Sequence, residues 1–573
     1  MCVALSLAAY DVHTFHAVAR VRVVGQKTED RSNPKRMIDG HRARMGAGVA
    51  NTTTFWQRLL SWRIALGVIL LLAVLVRMPF LHVPLITDEG GYAYTTHYGL
   101  SGKTLYHLLW FDRTQGILWV YRVIFQTLGQ TIFAIRLFAA LYNAGSALLV
   151  YVIGRKLADK RTGLLAALLF ALFSVMPHVQ GFTANAELFM TLPALASLAL
   201  LLPADALRID PTAALFSRTN TVATRRILFS GLCAGVAVII KPAEIAAIIV
   251  AAALLLLAAR RAGTSWRGIV RTQALLGVAV FVGVLPAIID GFARDGRAYI
   301  RQVLLYRGAT ESIISPHAIG RLGHSIANSL VVGGDVLPLV ILTVLALTAY
   351  RHTLPTDARR LAPLWFLASL GGIALGGNWF THYFFQLLPP LAIYGAIGVR
   401  AAFVRGGAAL WRVRLATMLS LSVMLTAAYA GHYFVAQPAE ISWDLYHDRA
   451  YQAQGPLVEY LKANSRPNDR IYIAFEAPEV YYLSERQSAF PVVWRQPLLS
   501  DPATFNRLIG TLDTPAGPEY IVDLDAPRFQ RAHDRLRPVL ERRYQLVAII
   551  QGIQVYRRVP STWDTPWTEP VDR

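Results

Sequence analysis

Trp62 to Phe80 is the first long apolar segment of the chain, and the polar residues on its two sides differ in kind. Arg31, Lys35, Arg36, Arg42 and Arg44 precede it, whereas Thr87-Asp88-Glu89-Gly90-Gly91-Tyr92 follows it. A run of roughly 20 apolar residues suffices to cross a bilayer as a helix, so this segment reads as a span. Further apolar segments fall at 131–153, 163–179, 186–203, 227–241, 243–259, 273–291, 330–350, 361–380, 383–399 and 415–435. By the same length rule this makes about eleven spans.

The loops between these segments alternate in charge. Arg155, Lys156, Lys160 and Arg161 share one loop, and Arg208, Arg218, Arg225 and Arg226 the next on that side. Arg260, Arg261, Arg267 and Arg271, then Arg351, Arg359 and Arg360, then Arg400, Arg405, Arg412 and Arg414 continue the series. Basic loops stay on the cytoplasmic side. The pattern therefore predicts a cytoplasmic N-terminus, external loops around 81–130, 179–186, 292–329 and 378–382, and an external segment from about 437 onward. Plasma (inner) membrane is the expected location. The loop 292–329 breaks the pattern with Arg294, Arg297, Arg301, Arg307 and Arg321.

Three regions follow. Residues 1–55 are polar and basic and read as a disordered cytoplasmic tail, with Met37 and Met45 as alternative starts. Residues 56–436 form an all-α polytopic membrane domain. Residues 437–573 change character: Arg470-Ile471-Tyr472-Ile473-Ala474-Phe475 and Tyr520-Ile521-Val522 are strand-like runs between Pro- and Asp-containing turns, as expected of a small extracytoplasmic α/β domain.

Composition agrees with this division and excludes other classes. The chain is 54% hydrophobic and 16% charged, with a mean hydropathy of +0.41. Its net charge of +21 would suggest nucleic acid in a soluble protein. Here residues 437–573 carry sixteen basic and eighteen acidic residues, so the excess lies in residues 1–436, largely in short loops between apolar segments, and reads as topology. No nucleic-acid partner is expected. Cys2 and Cys233 cannot make a disulfide framework or a cysteine metal site.

Candidate chemistry gathers on the external loops. Gly99-Leu100-Ser101-Gly102-Lys103-Thr104 imitates the end of a phosphate loop, but His97 stands where a Walker motif needs glycine. Asp88 and Glu89, close to the bilayer, could accept a proton from a hydroxyl becoming a nucleophile; the plainer reading is a solvated pair of loop carboxylates. Arg113 could grip a phosphate or simply pair with Asp112. Glu187 opens the span at 186–203, where a carboxylate also suits a helix N-terminus. Lys241, before Pro242, is costly at membrane depth unless it snorkels or meets an anion. Arg301, Tyr306 and Arg307 could face an anionic ligand or lipid headgroups. His382 and Gln386, four residues apart, are expected on one helix face, while Trp379 and Tyr383 also suit an interfacial aromatic belt.

Together these residues resemble the GT-C superfamily of polytopic glycosyltransferases that use polyprenyl-phosphate sugars, in particular bacterial relatives of protein O-mannosyltransferases and of the lipid A aminoarabinose transferase. The likeness runs from about residue 60 to 435, on Asp88-Glu89 with Tyr92, Asp112-Arg113, Glu187, Lys241-Pro242, and His382-Tyr383 with Gln386 and Pro389. It implies that Asp88 is the general base, supported by Glu89 and Tyr92. It also implies that Arg113, Lys241, Arg307, His382, Tyr383 and Gln386 bind substrate or the lipid phosphate. Relatives often have Lys-Pro where this chain has Arg113-Thr114. Asp112 and Glu187 match acids that lie near a divalent metal in the aminoarabinose branch, whereas the mannosyl branch does without one, so metal use stays open.

The expectation is thus an inverting glycosyltransferase that moves a hexose, mannose or pentose from a polyprenyl-phosphate donor to an extracytoplasmic glycan, lipid or protein. A transporter or lipid flippase is the rival reading, since charges within spans also line pathways. An inactive cell-envelope scaffold is the third.

Overall fold

The computed structural model describes residues 61–203, 207, 217, 220–306, 318–349, 351–405, 431–524 and 529–559. The tail at 1–55, Arg307 and most of the segment 415–435 lie outside the described residues. The first apolar segment forms α1 (residues 61–75). Two helices follow before the next span, α2 (Thr87–Tyr94) and α3 (Gly116–Thr127). The bundle continues with α4 (Ile132–Leu157), α5 (Lys160–Phe173), α6 (Ala186–Leu201), α7 (Thr221–Ile240), α8 (Ile245–Arg261), α9 (Trp266–Tyr299), α10 (Ala318–Leu347), α11 (Thr356–Leu375) and α12 (Leu388–Arg405).

Helices therefore occupy ten of the eleven expected positions. Seven described helices are long and apolar enough to cross a membrane, and the protein is a multi-pass membrane protein. The others fall short for local reasons. The α5 and α6 helices have 14 and 16 residues, and α11 opens on Asp357, Arg359 and Arg360.

Local chemistry sets the helix ends that matter for the site. The Thr131 hydroxyl accepts from the Ala134 amide at 3.1 Å and starts α4, and Asp159 accepts from the Thr162 amide at 2.7 Å to start α5. Lys241 ends α7 in an extended conformation, φ −148° and ψ 118°, as a residue before proline prefers. Its side chain therefore leaves the helix axis. Arg77, 2% exposed, donates to the Ala73 carbonyl, the Ser174 hydroxyl and the Gly181 carbonyl, tying the end of α1 to the α5–α6 connection.

One arginine that broke the charge pattern has a structural task. Arg294 pairs with Asp290 at 2.8 Å and donates to the carbonyls of Gly99, Leu100 and Gly102. The segment that imitates a phosphate loop is thus a carbonyl cap for a guanidinium.

The C-terminal region adds α13 (Gln454–Asn464), β1 (Arg470–Ile473), α14 (Pro478–Ser484), β2 (Gln487–Ser488), α15 (Pro502–Leu512), β3 (Tyr520–Asp523), α16 (Gln530–Arg543), β4 (Tyr544–Ile550) and β5 (Ile553–Arg558). The sheet order is β2-β1-β3-β5-β4, with β1 parallel to both neighbours and β5 antiparallel to both of its own. Leu508 and Leu512 from α15 and Leu536 and Val539 from α16 bury their side chains with Tyr472 and Ile521 of the sheet. This is the expected small α/β unit.

The unit is bound to the segment that carries Asp88. Gln454 exchanges two hydrogen bonds with the Leu85 backbone, at 3.1 and 2.9 Å, and the Ser488 amide donates to the Tyr94 hydroxyl at 2.9 Å. Glu479 of α14 is fully buried against α2, and neither carboxyl oxygen has a hydrogen-bond partner. Burial pushes its carboxyl well above the usual carboxylate range, and Glu476, Asp448 and Glu89 add to the effect. Such a group binds a proton in the folded state that the unfolded chain releases above a pH of about 4.3, so stability falls as pH rises through that window. Glu479→Gln is therefore expected to raise the melting temperature at pH 8 and to leave it nearly unchanged at pH 4.5. An equal shift at both pH values would contradict a neutral Glu479.

Candidate active site

Asp88 and Glu89 are adjacent on α2, so about 100° of helix rotation separates their side chains. Asp88 is partly open, with its side chain 21% exposed. Glu89 is 0% exposed, pairs with Arg136 at 2.6 Å, and accepts from the Ala184 and Ile86 amides at 2.6 and 3.1 Å. It has no open face toward a substrate. Its place is that of an internal tie between α2, α4 and the chain entering α6, which supports Asp88 through the backbone.

Asp88 sits in a constellation of opposite charges. Arg113 Nη2 lies 3.6 Å from one carboxylate oxygen and His382 Nε2 3.6 Å from the other. His382 Nε2 is also 3.6 Å from Glu187, and Glu187 is paired with Lys241. The Lys241 ammonium stands 3.6 Å over the Tyr383 ring. Arg113 Nε is 3.5 Å from Asp112. Residues from five separate stretches of chain thus meet around one partly open carboxylate.

Thr114, where the resemblance expects proline, has its own task. Its hydroxyl donates to the Ile239 carbonyl at 2.6 Å, and the Tyr106 hydroxyl donates to the Arg113 carbonyl at 2.6 Å. The Arg113 backbone is thereby joined to the end of α7, two residues before Lys241. A proline could not supply the first of these bonds.

Residues 112–289 match the sequence profile of the family described as dolichyl-phosphate-mannose-protein mannosyltransferase. Among solved structures the chain is similar to ArnT from Cupriavidus metallidurans, determined bound to undecaprenyl phosphate. That likeness has 15% identity and a TM-score of 0.58, and covers 87% of this chain and 98% of ArnT. The protein has the GT-C fold. The archaeal oligosaccharyltransferase AglB from Archaeoglobus fulgidus, determined with an inhibitory peptide and a dolichol-phosphate, is also similar. It shows 14% identity and a TM-score of 0.49 over 89% of this chain and 75% of AglB. No curated protein sequence matches significantly.

Within this GT-C fold, Asp88, Arg113, Asp112, Glu187, Lys241, His382 and Tyr383 come together as the sequence reading grouped them. Tyr92, 1% exposed, lies beneath Arg113, its ring centroid 5.1 Å from the guanidinium carbon. Gln386 does not join the cluster. Thr381–Leu387 is a 3-10 helix, in which residues four apart diverge by about 120°, so His382 and Gln386 do not share a face. Gln386 instead lines a cavity of about 20 Å³ with Thr191, Glu244 and Trp365. Arg301 is exposed and Arg307 lies outside the described residues.

The acids proposed for a metal are already engaged by cations, Asp112 by Arg113 and Glu187 by Lys241 and His382. Among the described residues no group of three or more His, Cys, Asp or Glu is arranged to hold a metal ion.

Two participants escaped sequence reasoning. Arg136 lies within the apolar segment 131–153, and a charge within a span is a functional signal that could have found it. Trp494, whose ring centroid is 5.5 Å from the Arg113 guanidinium, carries no such signal.

Proposed function

We propose that the protein is an inverting glycosyltransferase that moves a sugar from a polyprenyl phosphate to an acceptor on the extracytoplasmic face of the membrane. The observation that carries this reading is the single partly open carboxylate of Asp88, ringed by Arg113 and His382, with Lys241 one ion pair further on. The match to mannosyltransferases that use dolichyl phosphate mannose supports it, as does the ArnT likeness in fold.

The chemistry needs what this cluster offers. Asp88 accepts the proton of an acceptor hydroxyl as its oxygen attacks the anomeric carbon. The bond from that carbon to the phosphate oxygen breaks, the electron pair leaves with the phosphate, and the anomeric configuration inverts. A phosphate leaves as an anion, so no general acid is called for. Arg113, with Lys241 behind it, supplies positive charge where negative charge develops. The sugar is a hexose such as mannose or a pentose, and the acceptor an envelope glycan, lipid or protein.

Purified protein in lipid, offered a panel of polyprenyl-phosphate sugars with extracted envelope acceptors, is expected to transfer one of them with inversion at the anomeric carbon, read by NMR. Transfer is expected to survive chelation, because both acids proposed for a metal are paired with cations. Vectorial movement of the lipid without any transfer would instead establish a flippase.

A further inference from the structure

Gly90 and Gly91 follow the acidic pair on α2, and a methyl group on either would strike the C-terminal unit. A Cβ on Gly90 would lie 2.2 Å from the Glu479 Cβ, and one on Gly91 would lie 2.1 Å from Cη2 of Trp494. Only glycine allows such close approach. The helix that carries Asp88 is therefore shaped to receive Trp494 beside it.

Trp494 and Tyr92 have ring centroids 5.9 Å apart with planes tilted by 49°. The Arg113 guanidinium carbon is 5.1 Å from the Tyr92 centroid and 5.5 Å from that of Trp494. Three nearly equal separations describe a triangle, so the guanidinium rests in a notch between two tilted rings. Trp494 is 8% exposed, and its buried indole N–H has no hydrogen-bond partner. Its contribution is the ring itself.

The notch has a consequence for charge. Arg113 stays 3.6 Å from Asp88 and 3.5 Å from Asp112, longer than the roughly 2.7–2.9 Å of a closed guanidinium–carboxylate contact. Held by its faces, the guanidinium stays beside both carboxylates without closing on either.

We propose that Trp494 is a positioning residue that fixes the Arg113 guanidinium so that its N–H edge meets the phosphate of the lipid donor. The C-terminal unit thereby completes the site. This inference rests on the lipid-phosphate role given to Arg113 above.

The test uses the full chain in lipid nanodiscs, with undecaprenyl phosphate as probe and with donor kinetics. Trp494→Leu fills the space without a ring face and is expected to raise the Kd for undecaprenyl phosphate and the donor KM by roughly 5- to 30-fold, the range of a desolvated cation–π contact. Because Arg113 also faces the charge that develops on the phosphate, kcat should fall as well; Trp494→Phe should recover most of both losses, and amide exchange over residues 87–94 should remain as in the wild type. Loss of binding in Arg113→Ala with wild-type binding in Trp494→Leu would overturn the positioning role alone. Unchanged binding in Arg113→Ala would overturn the phosphate role and the inference with it. Equal losses in the Leu and Phe variants, accompanied by faster exchange over 87–94, would make Trp494 a docking residue only and would also overturn the inference.

Discussion

Asp88→Asn is expected to lower sugar transfer by about 10²–10⁴-fold, the usual worth of a positioned general base, while undecaprenyl-phosphate binding stays close to that of the wild type. The asparagine keeps the size and the hydrogen-bonding reach of the side chain, so Arg113 and His382 keep a polar neighbour at 3.6 Å. What disappears is the ability to take a proton. Asp88→Glu retains the carboxylate but moves it by one methylene, and a misplacement of about 1 Å can itself cost 10²-fold. Both variants should therefore be slow, the asparagine more so. Transfer by Asp88→Asn within a few-fold of the wild type would remove Asp88 from the base role. The neighbouring carboxylates do not offer a ready substitute, because Glu89, Asp112 and Glu187 are buried and each is paired with a cation.

Arg136→Met is expected to destabilise the protein by about 3–5 kcal/mol, the cost of leaving one member of a buried ion pair behind. Glu89 would remain at 0% exposure without its guanidinium, held only by the Ala184 and Ile86 amides. Adding Glu89→Gln should restore part of the loss, since a neutral amide no longer needs a counter-ion, although its one oxygen can keep only one of the two backbone bonds. Thermal melting of the two single variants and the double variant completes the cycle. An Arg136→Met protein that melts with the wild type would show that the pair is not a structural tie. The same set separates Glu89 from Asp88: folded Glu89→Gln should transfer sugar far faster than Asp88→Asn, because its carboxylate faces Arg136 rather than the open cluster.

Much of the site was legible because its residues break local rules. Asp88 follows a span, Lys241 interrupts an apolar run ahead of a proline, and Arg113 lies beside an acid in a loop; each is conspicuous where it stands. Thr114 was read as a departure from a pattern, and its hydrogen bond to Ile239 shows a different way of fastening the same loop. Gln386 was misplaced because spacing alone cannot tell a 3-10 turn from an α-helix, and the two differ in which residues share a face. Trp494 was invisible because its role depends on a contact across nearly four hundred residues with Arg113, and an aromatic residue in a folded domain is otherwise unremarked.

The sequence by itself determined the membrane bundle, the small C-terminal α/β unit and the pair of acids at the mouth of a span. Hydrophobic length and strand-like alternation are local properties, and so is a carboxylate at the mouth of a span. Only the tertiary structure decided which acid of the adjacent pair faces inward. The helix turns by about 100° per residue, and Arg136 waits on one side alone. Only the tertiary structure, too, decided why two glycines follow that pair. The reason is the approach of Glu479 and Trp494, which sequence proximity to Asp88 could not reveal.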